Sequence, residues 1–292
     1  MLFTIKDIEN LSGIKAHTIR IWEQRYDFLK PNRSDTNIRF YTSDELKIIL
    51  NIALLNKSGY KISRINKMSR EAVFASVLSL SSTEAKANIV VNNLLECMIN
   101  FDTDGFENII NRYIANSGIE ESIINIIFPF LDKVGVLWLT NHINPAHERL
   151  VSNIIRQKII VGIDSLSTKK TSATKICLFL PEGEYHEISL LFVAFLLKKR
   201  GIPIIYLGAN IPFSELQTVT SAKNPDYLYT HLTTAGSDFN FDKFLNTISK
   251  EFKKFPLIIS GRLTHSYEKK IPQKIIFKKS LNEVKEFIKN LQ

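Results

Sequence analysis

The chain has 292 residues, a length that corresponds to about two or three domains. Apolar residues make up 45 % of it and charged residues 23 %, a globular composition that excludes a long disordered chain. The net charge is +9, and two cysteines, Cys97 and Cys177, exclude a disulfide scaffold and a cysteine-rich zinc module. The N-terminus does not resemble a signal peptide, and no apolar run approaches the ~20 residues that span a bilayer. We therefore expect a cytoplasmic protein with reduced thiols and no membrane partner.

Charge divides the chain into three parts. Residues 1–70 hold 13 basic and 7 acidic side chains, residues 71–168 hold 6 and 11, and residues 169–292 hold 19 and 11. A basic N-terminal part predicts a polyanionic partner. The C-terminal lysines have two interpretations, because they either solvate the surface and helix ends or form a second nucleic-acid patch. Together with the periodicity described below, the pattern predicts domains at residues 1–75, 76–168 and 169–292.

The first 70 residues are predicted to form short helices around a polar loop. Thr4 is a favourable N-cap for a first helix, Ser12-Gly13 ends it, and a second helix is predicted from about Lys15 to Tyr26. Two short helices joined by a glycine-containing turn are typical of a helix-turn-helix. Residues 28–41 then form a polar tip between short extended segments, as in a wing. Further helices are predicted from Ser43 to about residue 58 and from near residue 62.

The exposed side of the second helix and the wing carry the candidate DNA contacts. Arginine side chains reach phosphates or guanine edges, and hydroxyl groups bind phosphate. The predicted contacts are His17, Thr18, Arg20, Arg25, Tyr26, Arg33, Arg39 and Tyr41. Tyr41 is also expected to form a small core with Ile19, Trp22 and Leu46.

Residues 2–68 resemble the DNA-binding domain of the MerR family of transcription regulators. The matching blocks are TIKDIENLSGI, T-I-R-I-W-E-x-R-Y at Thr18–Tyr26, P-x-R at Pro31–Arg33 and N-I-R-F-Y-T-S-D-E-L at Asn37–Leu46. The resemblance implies binding to double-stranded operator DNA by a homo-oligomer. Most of this family dimerises through a long helix, but only a short apolar segment, Ala72–Leu80, follows here. Oligomerisation is therefore expected to use the other domains.

The middle and C-terminal parts differ in periodicity. From about residue 82 to 166 the pattern is helical, with breaks near Asp102, Gly118 and Pro145, which predicts a four-helix bundle. After a polar linker at residues 167–172, apolar strands alternate with helices, as in a doubly wound parallel sheet. The predicted fold class is thus multidomain α and α/β: a winged helix-turn-helix, a four-helix bundle and a doubly wound parallel sheet.

A carboxylate and a histidine follow the first predicted strand of the sheet. Glu184 precedes His186 by two residues, so it can orient the imidazole ring as a metal ligand. The pair alone is weak evidence for a metal site, because a histidine in a loop is more often a surface or capping residue. Because ligands of open α/β sheets bind at the carboxyl ends of the strands, the pair nevertheless lies where a ligand is expected.

The spacing resembles the cobalamin-binding pattern D/E-x-H-x-x-G, S-x-L and G-G. Forty residues separate Ser189 from Thr230, and 27 separate Leu232 from Ser260. The resemblance implies that His186 is the lower axial cobalt ligand, that Glu184 is its partner, and that the S-x-L and G-G segments line a groove for the displaced nucleotide tail. The pattern positions here are Glu184, His186, Ser189, Thr230, Leu232, Ser260 and Gly261.

Three of these positions depart from the pattern. Ser189 and Ser260 replace glycines, and Thr230 replaces the serine but keeps its hydroxyl. An added side chain matters where the backbone must approach the tail or adopt a positive φ. The departures leave open a tighter tail groove or a lost cofactor.

The predicted bundle carries a second resemblance. Trp138, nine intervening residues and Glu148 are similar to the W-x9-E-H motif of light-responsive, adenosylcobalamin-binding MerR regulators, with Arg149 in place of the histidine. His147 precedes the glutamate and His142 lies nearby. The resemblance implies that Trp138 packs over the upper corrin face, and a bulky adenosyl ligand suits it. The alternative is that Trp138 is a core residue and that Glu148 favourably occupies a helix N-terminus.

Three functional hypotheses follow. The leading one is a repressor whose oligomerisation and operator binding depend on cobalamin, most simply adenosylcobalamin acting in a light sensor. It implies a dimer or tetramer that affects RNA polymerase indirectly at the promoter, with no catalytic residue. The second is a regulator that uses its C-terminal domains only for oligomerisation or partner binding. The third is a corrinoid methyl carrier, which would have no use for a winged helix.

Overall fold

The computed structural model describes residues 2–34, 37–139, 143–166, 172–233 and 239–291. They form two compact units, residues 1–154 and residues 155–292. The boundary lies inside a helix of the bundle, so the division at 75/76 and 168/169 stays a prediction. Residues 167–171 of the predicted linker lie outside the described residues. Within the described ranges no helix is both long and apolar enough to cross a bilayer.

The N-terminal part of the first unit is a helix-turn-helix followed by a wing. Its elements are β1 (Leu2–Thr4), α1 (Ile5–Ser12), α2 (Ala16–Arg25), β2 (Asn32–Arg33), β3 (Arg39–Thr42), α3 (Ser43–Lys57), α4 (Ile62–Ile65) and α5 (Arg70–Leu78). Local chemistry sets the helix ends. Thr4 and Asp7 form a capping box at the start of α1, and Gly13, at φ +76°, ends it. The predicted helix-turn-helix is confirmed.

Three short strands support the wing. They pair antiparallel in the order β1-β3-β2, with Phe3 opposite Tyr41 and Arg33 opposite Arg39. The sequence analysis did not predict β1, because three residues carry too little alternation to distinguish a strand. The side chains of Phe3 and Tyr41 are fully buried, so β1 closes the small core beneath the wing.

Helix α3 begins at Ser43, as predicted. Its N-cap is Thr42, whose backbone N–H donates a hydrogen bond to the Glu45 carboxylate at 2.7 Å. The following helix, α5, has nine residues and packs against α3. The chain therefore continues into the bundle without a long helix at this point, as the sequence predicted.

The bundle follows directly from α5. Its elements are α6 (Thr83–Ile99), α7 (Thr103–Ser122), a π-helical segment (Ile123–Ile127), α8 (Phe128–Leu139) and α9 (Pro145–Asp164). Gly118, at φ +77° and ψ 166°, breaks α7, so the chain forms four helical stretches as predicted. Helix α8 also contacts α1 of the helix-turn-helix. A helix of the bundle is thus in direct contact with the DNA-binding part.

The second unit adds a doubly wound sheet to the end of α9. Its elements are β4 (Ile176–Pro181), α10 (Ile188–Lys199), β5 (Ile204–Ile211), α11 (Phe213–Lys223), β6 (Tyr227–His231), α12 (Phe241–Glu251), β7 (Leu257–Ser260), a 3-10 turn (Arg262–Thr264), β8 (Ile275–Lys278) and α13 (Leu281–Lys289). All strand pairs are parallel, in the order β5-β4-β6-β7-β8. The predicted α/β class is confirmed.

The strand order defines where a ligand binds. The chain moves from β4 to one side with β5 and then to the other side with β6, so the order reverses between β4 and β6. Open α/β sheets bind ligands in the crevice outside the carboxyl ends of the strands at such a reversal. The segments that follow β4, β6 and β7 are therefore the candidate site.

Candidate functional site

The second helix of the helix-turn-helix presents its basic side chains to solvent. Arg20, Arg25 and His17 are exposed, while Ile19 and Trp22 are buried. The buried pair fixes the helix from below, as the sequence predicted, and leaves the arginines able to reach a phosphate or a base edge. Thr18 is partly buried on the same helix.

Arg33 and Tyr26 border this surface. Arg33 is exposed, and its guanidinium donates to Oδ1 of Asn37 at 2.6 Å. Residues 35–36 lie outside the described residues. The ring of Tyr26 stacks on Phe28 with 5.7 Å between centroids, so its position is set by packing. Both side chains remain in the proposed set of DNA contacts.

Glu23 holds two of the predicted DNA contacts. The Nε of Arg39 donates to one of its carboxylate oxygens at 2.7 Å, and the hydroxyl of Tyr41 donates to the other. Tyr41 is fully buried, and burial, with the hydrogen bond to Glu23, raises the pKa of its phenol. Tyr41 therefore supports the wing from beneath, and we leave it out of the proposed contact set.

Glu23→Ala is expected to loosen the wing and to lower the free energy of unfolding by about 2 kcal/mol. The variant leaves the buried Tyr41 hydroxyl and the half-buried Arg39 unpaired, and an orphaned buried donor costs roughly 1–3 kcal/mol. Tyr41→Phe is the control, because it keeps the ring and leaves the Glu23–Arg39 pair in place. Urea unfolding checks the result; equal stability of Glu23→Ala and Tyr41→Phe contradicts it.

The Glu184–His186 pair occupies the loop after β4. Oε1 of Glu184 accepts the backbone N–H groups of Tyr185 and His186, each at 2.9 Å, and lies 2.6 Å from Nδ1 of His186. Burial raises the pKa of the Glu184 carboxyl, but the His186 hydrogen bonds outweigh it and hold this pKa below its ordinary value. An ionised Glu184 keeps a proton on Nδ1, and Nε2 then carries the lone pair that binds a metal.

Neighbouring residues fix this loop in two ways. Asn210, at the end of β5 with φ +60°, accepts the Gly183 N–H at 2.9 Å and donates its own N–H to the Glu184 carbonyl at 3.1 Å. Glu187, next to His186, accepts from Arg156 of α9 at 2.7 Å and from Tyr206 at 2.8 Å. The loop is thus held by β5 and by the last helix of the bundle.

Two buried oxygens at the carboxyl ends of β4 and β6 have no hydrogen-bond partner in the described part of the chain. They are Oε2 of Glu184, a residue 2 % exposed, and Oγ1 of Thr230, a residue 0 % exposed. A buried polar atom without a partner is costly, so it commonly marks the place of an absent water, ion or ligand. Both residues belong to the predicted cobalamin pattern and fit a group with polar edges.

Gly261 brings the ends of β6 and β7 together. Its φ is +100°, and a Cβ there would lie 2.8 Å from the backbone nitrogen of Leu232 and closer still to the Leu232 carbonyl oxygen. The Leu232 N–H donates to the Ser260 carbonyl at 2.8 Å. Only a glycine fits this crossing, so the second glycine of the pattern has a steric explanation.

The two serines that replace glycines do not require glycine geometry. Ser189 lies in the first turn of α10, Ser260 ends β7, and neither has a positive φ. Their backbones therefore raise no conformational objection to a bound corrinoid. Ser260 is 2 % exposed, and its side chain hydrogen-bonds to Tyr229 and His231.

Trp138 and Glu148 lie in the bundle. Trp138, on α8, is 46 % exposed, which is unusual for a tryptophan and disfavours the interpretation as a core residue. Glu148, in the first turn of α9, accepts from Ser152 at 2.5 Å. His147 is buried against Phe101 with 3.9 Å between ring centroids, and His142 lies outside the described residues.

Protein side chains alone do not build a metal centre in the described ranges, because no three His, Cys, Asp or Glu residues cluster there. The site offers one imidazole, which suits a metal that brings its other ligands with it. A corrin ring would be such a group, since it brings nitrogen ligands of its own, and His186 would be the residue that holds it.

Two family models match the chain. The model described as "MerR HTH family regulatory protein" matches residues 3–72, and the one described as "B12 binding domain" matches residues 90–161. These two segments are similar to a MerR helix-turn-helix and to a B12-binding domain. The B12-binding match covers most of α6 to α9, the bundle that carries Trp138 and Glu148.

Similar proteins agree with this combination. The HTH-type transcriptional repressor CarA of Myxococcus xanthus is 25 % identical over 89 % of this chain and 87 % of its own. The repressor CarH of the same organism is 23 % identical over 91 % of each chain. A monomethylamine corrinoid protein of Methanosarcina barkeri covers 70 % of this chain and 98 % of its own, with TM-score 0.55 and 15 % identity, and shows the fold.

The sequence analysis did not identify several residues that shape the two candidate sites. Glu23 belongs to the matching block at Thr18–Tyr26, but the block does not indicate its hydrogen bonds to Arg39 and Tyr41. Asn210 and Glu187 were also missed, although an asparagine closing a strand and a carboxylate beside a candidate ligand are weak signals for such roles. The individual site residues other than Tyr41 remain proposals.

Proposed function

We propose that the chain is a transcriptional repressor whose binding to operator DNA is controlled by bound cobalamin. One observation carries the proposal: an exposed basic recognition helix and a Glu184-oriented His186 at a strand-order reversal occur in the same chain. Similarity to two transcriptional repressors over most of the chain supports it. The role is regulatory rather than enzymatic, and its place is the cytoplasm.

His186 would hold cobalt through Nε2, and the remaining pattern residues would contact the rest of the cofactor. Glu184 keeps the imidazole oriented. Thr230 offers a buried hydroxyl without a partner among the described residues, and Gly261 allows β6 and β7 to cross closely. Ser189, Leu232 and Ser260 complete the pattern, with Trp138 and Glu148 toward the upper ligand.

Adenosylcobalamin is the proposed form, and it supplies a Co–C bond that visible light breaks. The exposed Trp138 ring would suit a bulky upper ligand, and loss of that ligand would change what the ring packs against. Trp138 lies on α8, and α8 contacts α1 of the helix-turn-helix. A shift of α8 is therefore passed directly to the DNA-binding part, as a local packing event with a global readout.

The DNA-bound form is proposed to be a homo-oligomer, a dimer or a tetramer. Helix-turn-helix proteins read two half-sites with two recognition helices, so one copy is not sufficient. Occupying the operator would act on RNA polymerase indirectly, by limiting its access to the promoter.

The proposal is tested with protein prepared in the dark with adenosylcobalamin and desalted. A gel-shift assay on DNA from upstream of its own gene and a visible spectrum are recorded before and after green light. We expect a retained corrin spectrum and a DNA complex that weakens on illumination. A colourless protein that shifts DNA equally in both conditions contradicts cofactor control, and the absence of any DNA complex contradicts the repressor role.

Arg25→Ala is expected to weaken operator binding about tenfold and to lower the slope of log K against log salt by about one. Arg25 is exposed at the end of α2, and loss of one phosphate contact releases one counterion fewer. Lys250→Ala removes the same charge from an exposed position on α12 and is the control. Fluorescence anisotropy at several salt concentrations provides the measurement, and equal slopes for both variants argue against a contact at Arg25.

A further inference from the structure

Three hydrogen-bonded side chains line the carboxyl ends of β6 and β7. Oη of Tyr229 lies 2.6 Å from Oγ of Ser260, which lies 2.8 Å from Nδ1 of His231. Tyr229 is fully buried and Ser260 is 2 % exposed, while His231 is half-buried at the end of its strand. His231 and Ser260 are register partners across the two strands, so backbone pairing aligns the three side chains.

Counting donors and acceptors shows which group donates in each of these two hydrogen bonds. Ser260 is the only hydrogen-bond partner of the Tyr229 hydroxyl among the described residues, so the buried Tyr229 O–H donates to Ser260. The Ser260 hydroxyl has one proton of its own, and Nδ1 of His231 is the remaining acceptor. Nδ1 of His231 is therefore unprotonated, and Nε2 carries the ring proton.

His231 is a neutral donor rather than a cation. Burial lowers its pKa to about 4, although Glu184 nearby opposes that shift. At neutral pH the ring thus presents one N–H at Nε2, which forms no hydrogen bond within the described part of the chain. His231 ends β6, so this donor lies at the carboxyl edge of the sheet, although the side chain of its neighbour Thr230 alternates to the opposite face.

We infer that His231 donates a hydrogen bond through Nε2 to the nucleotide tail of the bound cobalamin and makes the site select corrinoids that carry a tail. The inference rests on the proposed cobalamin site and names a residue that the motif leaves unspecified. Ser260, a departure from the pattern, has a positive role here, because a glycine at this position would leave Nδ1 without its donor.

The test compares two probes that differ in the tail. Aquocobalamin has the nucleotide tail and diaquocobinamide lacks it, and both are titrated against the full chain by visible absorption. We expect His231→Phe to weaken aquocobalamin binding about tenfold, the scale of one lost hydrogen bond, and to leave diaquocobinamide binding unchanged. His231→Gln, which keeps an N–H donor, is expected to retain most of the affinity for aquocobalamin.

A second variant tests whether Ser260 sets which ring nitrogen of His231 carries the proton. Ser260→Ala removes the donor to Nδ1 and frees the ring to adopt the other tautomer, so aquocobalamin binding is expected to weaken by less than in His231→Phe. Thermal melts of every variant show whether the fold is retained, and His231→Ala, which also lacks the N–H donor, replaces His231→Phe in the comparison if the latter does not fold.

The outcomes separate this inference from the proposed function. If the unchanged protein binds neither probe, the cobalamin site itself is wrong. If it binds both, but His231→Phe weakens them equally or not at all, only the assignment of His231 to the tail is overturned.

Discussion

His186→Ala is expected to abolish tight cobalamin binding while leaving the fold intact. His186 is exposed, and its hydrogen bonds to Glu184 lie within the loop itself, so alanine costs little packing. The variant removes the imidazole that Glu184 orients at the strand-order reversal. Visible titration with aquocobalamin measures the affinity, and the spectrum of any residual complex should show water or the cofactor's own base in place of an imidazole.

His17→Ala is the matched control for this variant. It removes an exposed histidine from α2, which belongs to the other compact unit, and is expected to bind cobalamin as the unchanged protein does. Glu184→Gln provides an intermediate, because loss of a group that orients a metal-bound histidine typically costs about 10–100-fold in affinity. Unaltered binding and an unaltered spectrum in His186→Ala contradict the assignment of the axial ligand.

Gly261→Ala is expected to lower the stability of the second unit by about 3 kcal/mol. A residue with a Cβ at φ +100° pays about 1–2 kcal/mol in backbone strain, and forcing the methyl group against the Leu232 backbone adds about 1–3 kcal/mol. The melting temperature should fall by roughly 10 °C, on the scale of 2–4 °C for each kcal/mol. Cobalamin affinity should fall too, because the ends of β6 and β7 must separate.

Gly183→Ala separates the two contributions. Gly183 also has a positive φ, +85°, but a Cβ there meets no atom within 4 Å. It pays the backbone cost alone, so its expected destabilisation is about half or less. Differential scanning calorimetry of both variants gives the comparison. Equal shifts would show that strain, and not the close approach to Leu232, explains the glycine.

In the candidate cofactor site, some contacts join residues that are close in sequence and others join distant segments. Glu184 and His186 are two residues apart, so the sequence is sufficient to predict their contact, and the structure contains it at 2.6 Å. Thr230 and Ser260 belong to neighbouring strands, and only the motif spacing linked them before the structure. The link from Ser260 to Tyr229 and His231 could not be predicted, because it depends on strand register.

In the helix-turn-helix part, too, contacts between distant segments could not be predicted from the sequence. The helix-turn-helix and the wing follow from caps, a glycine turn and a polar tip, all of which act over a few residues. The assignment of Tyr41 to the DNA surface did not follow, because its burial depends on pairing between β1 and β3 across almost 40 residues. The same strand pairing brings Tyr41 to Glu23 on α2.

The sequence by itself determined the order of most helices and strands, the parallel sheet and the pairing of Glu184 with His186. These features depend on hydrophobic period, on caps and on short spacings, which the chain encodes locally. The tertiary structure alone decided which side chains Glu23, Asn210 and Ser260 hold, and that a glycine is required at 261. Those contacts join segments that are distant in sequence, and their geometry is fixed by strand register and packing, for which no local pattern exists.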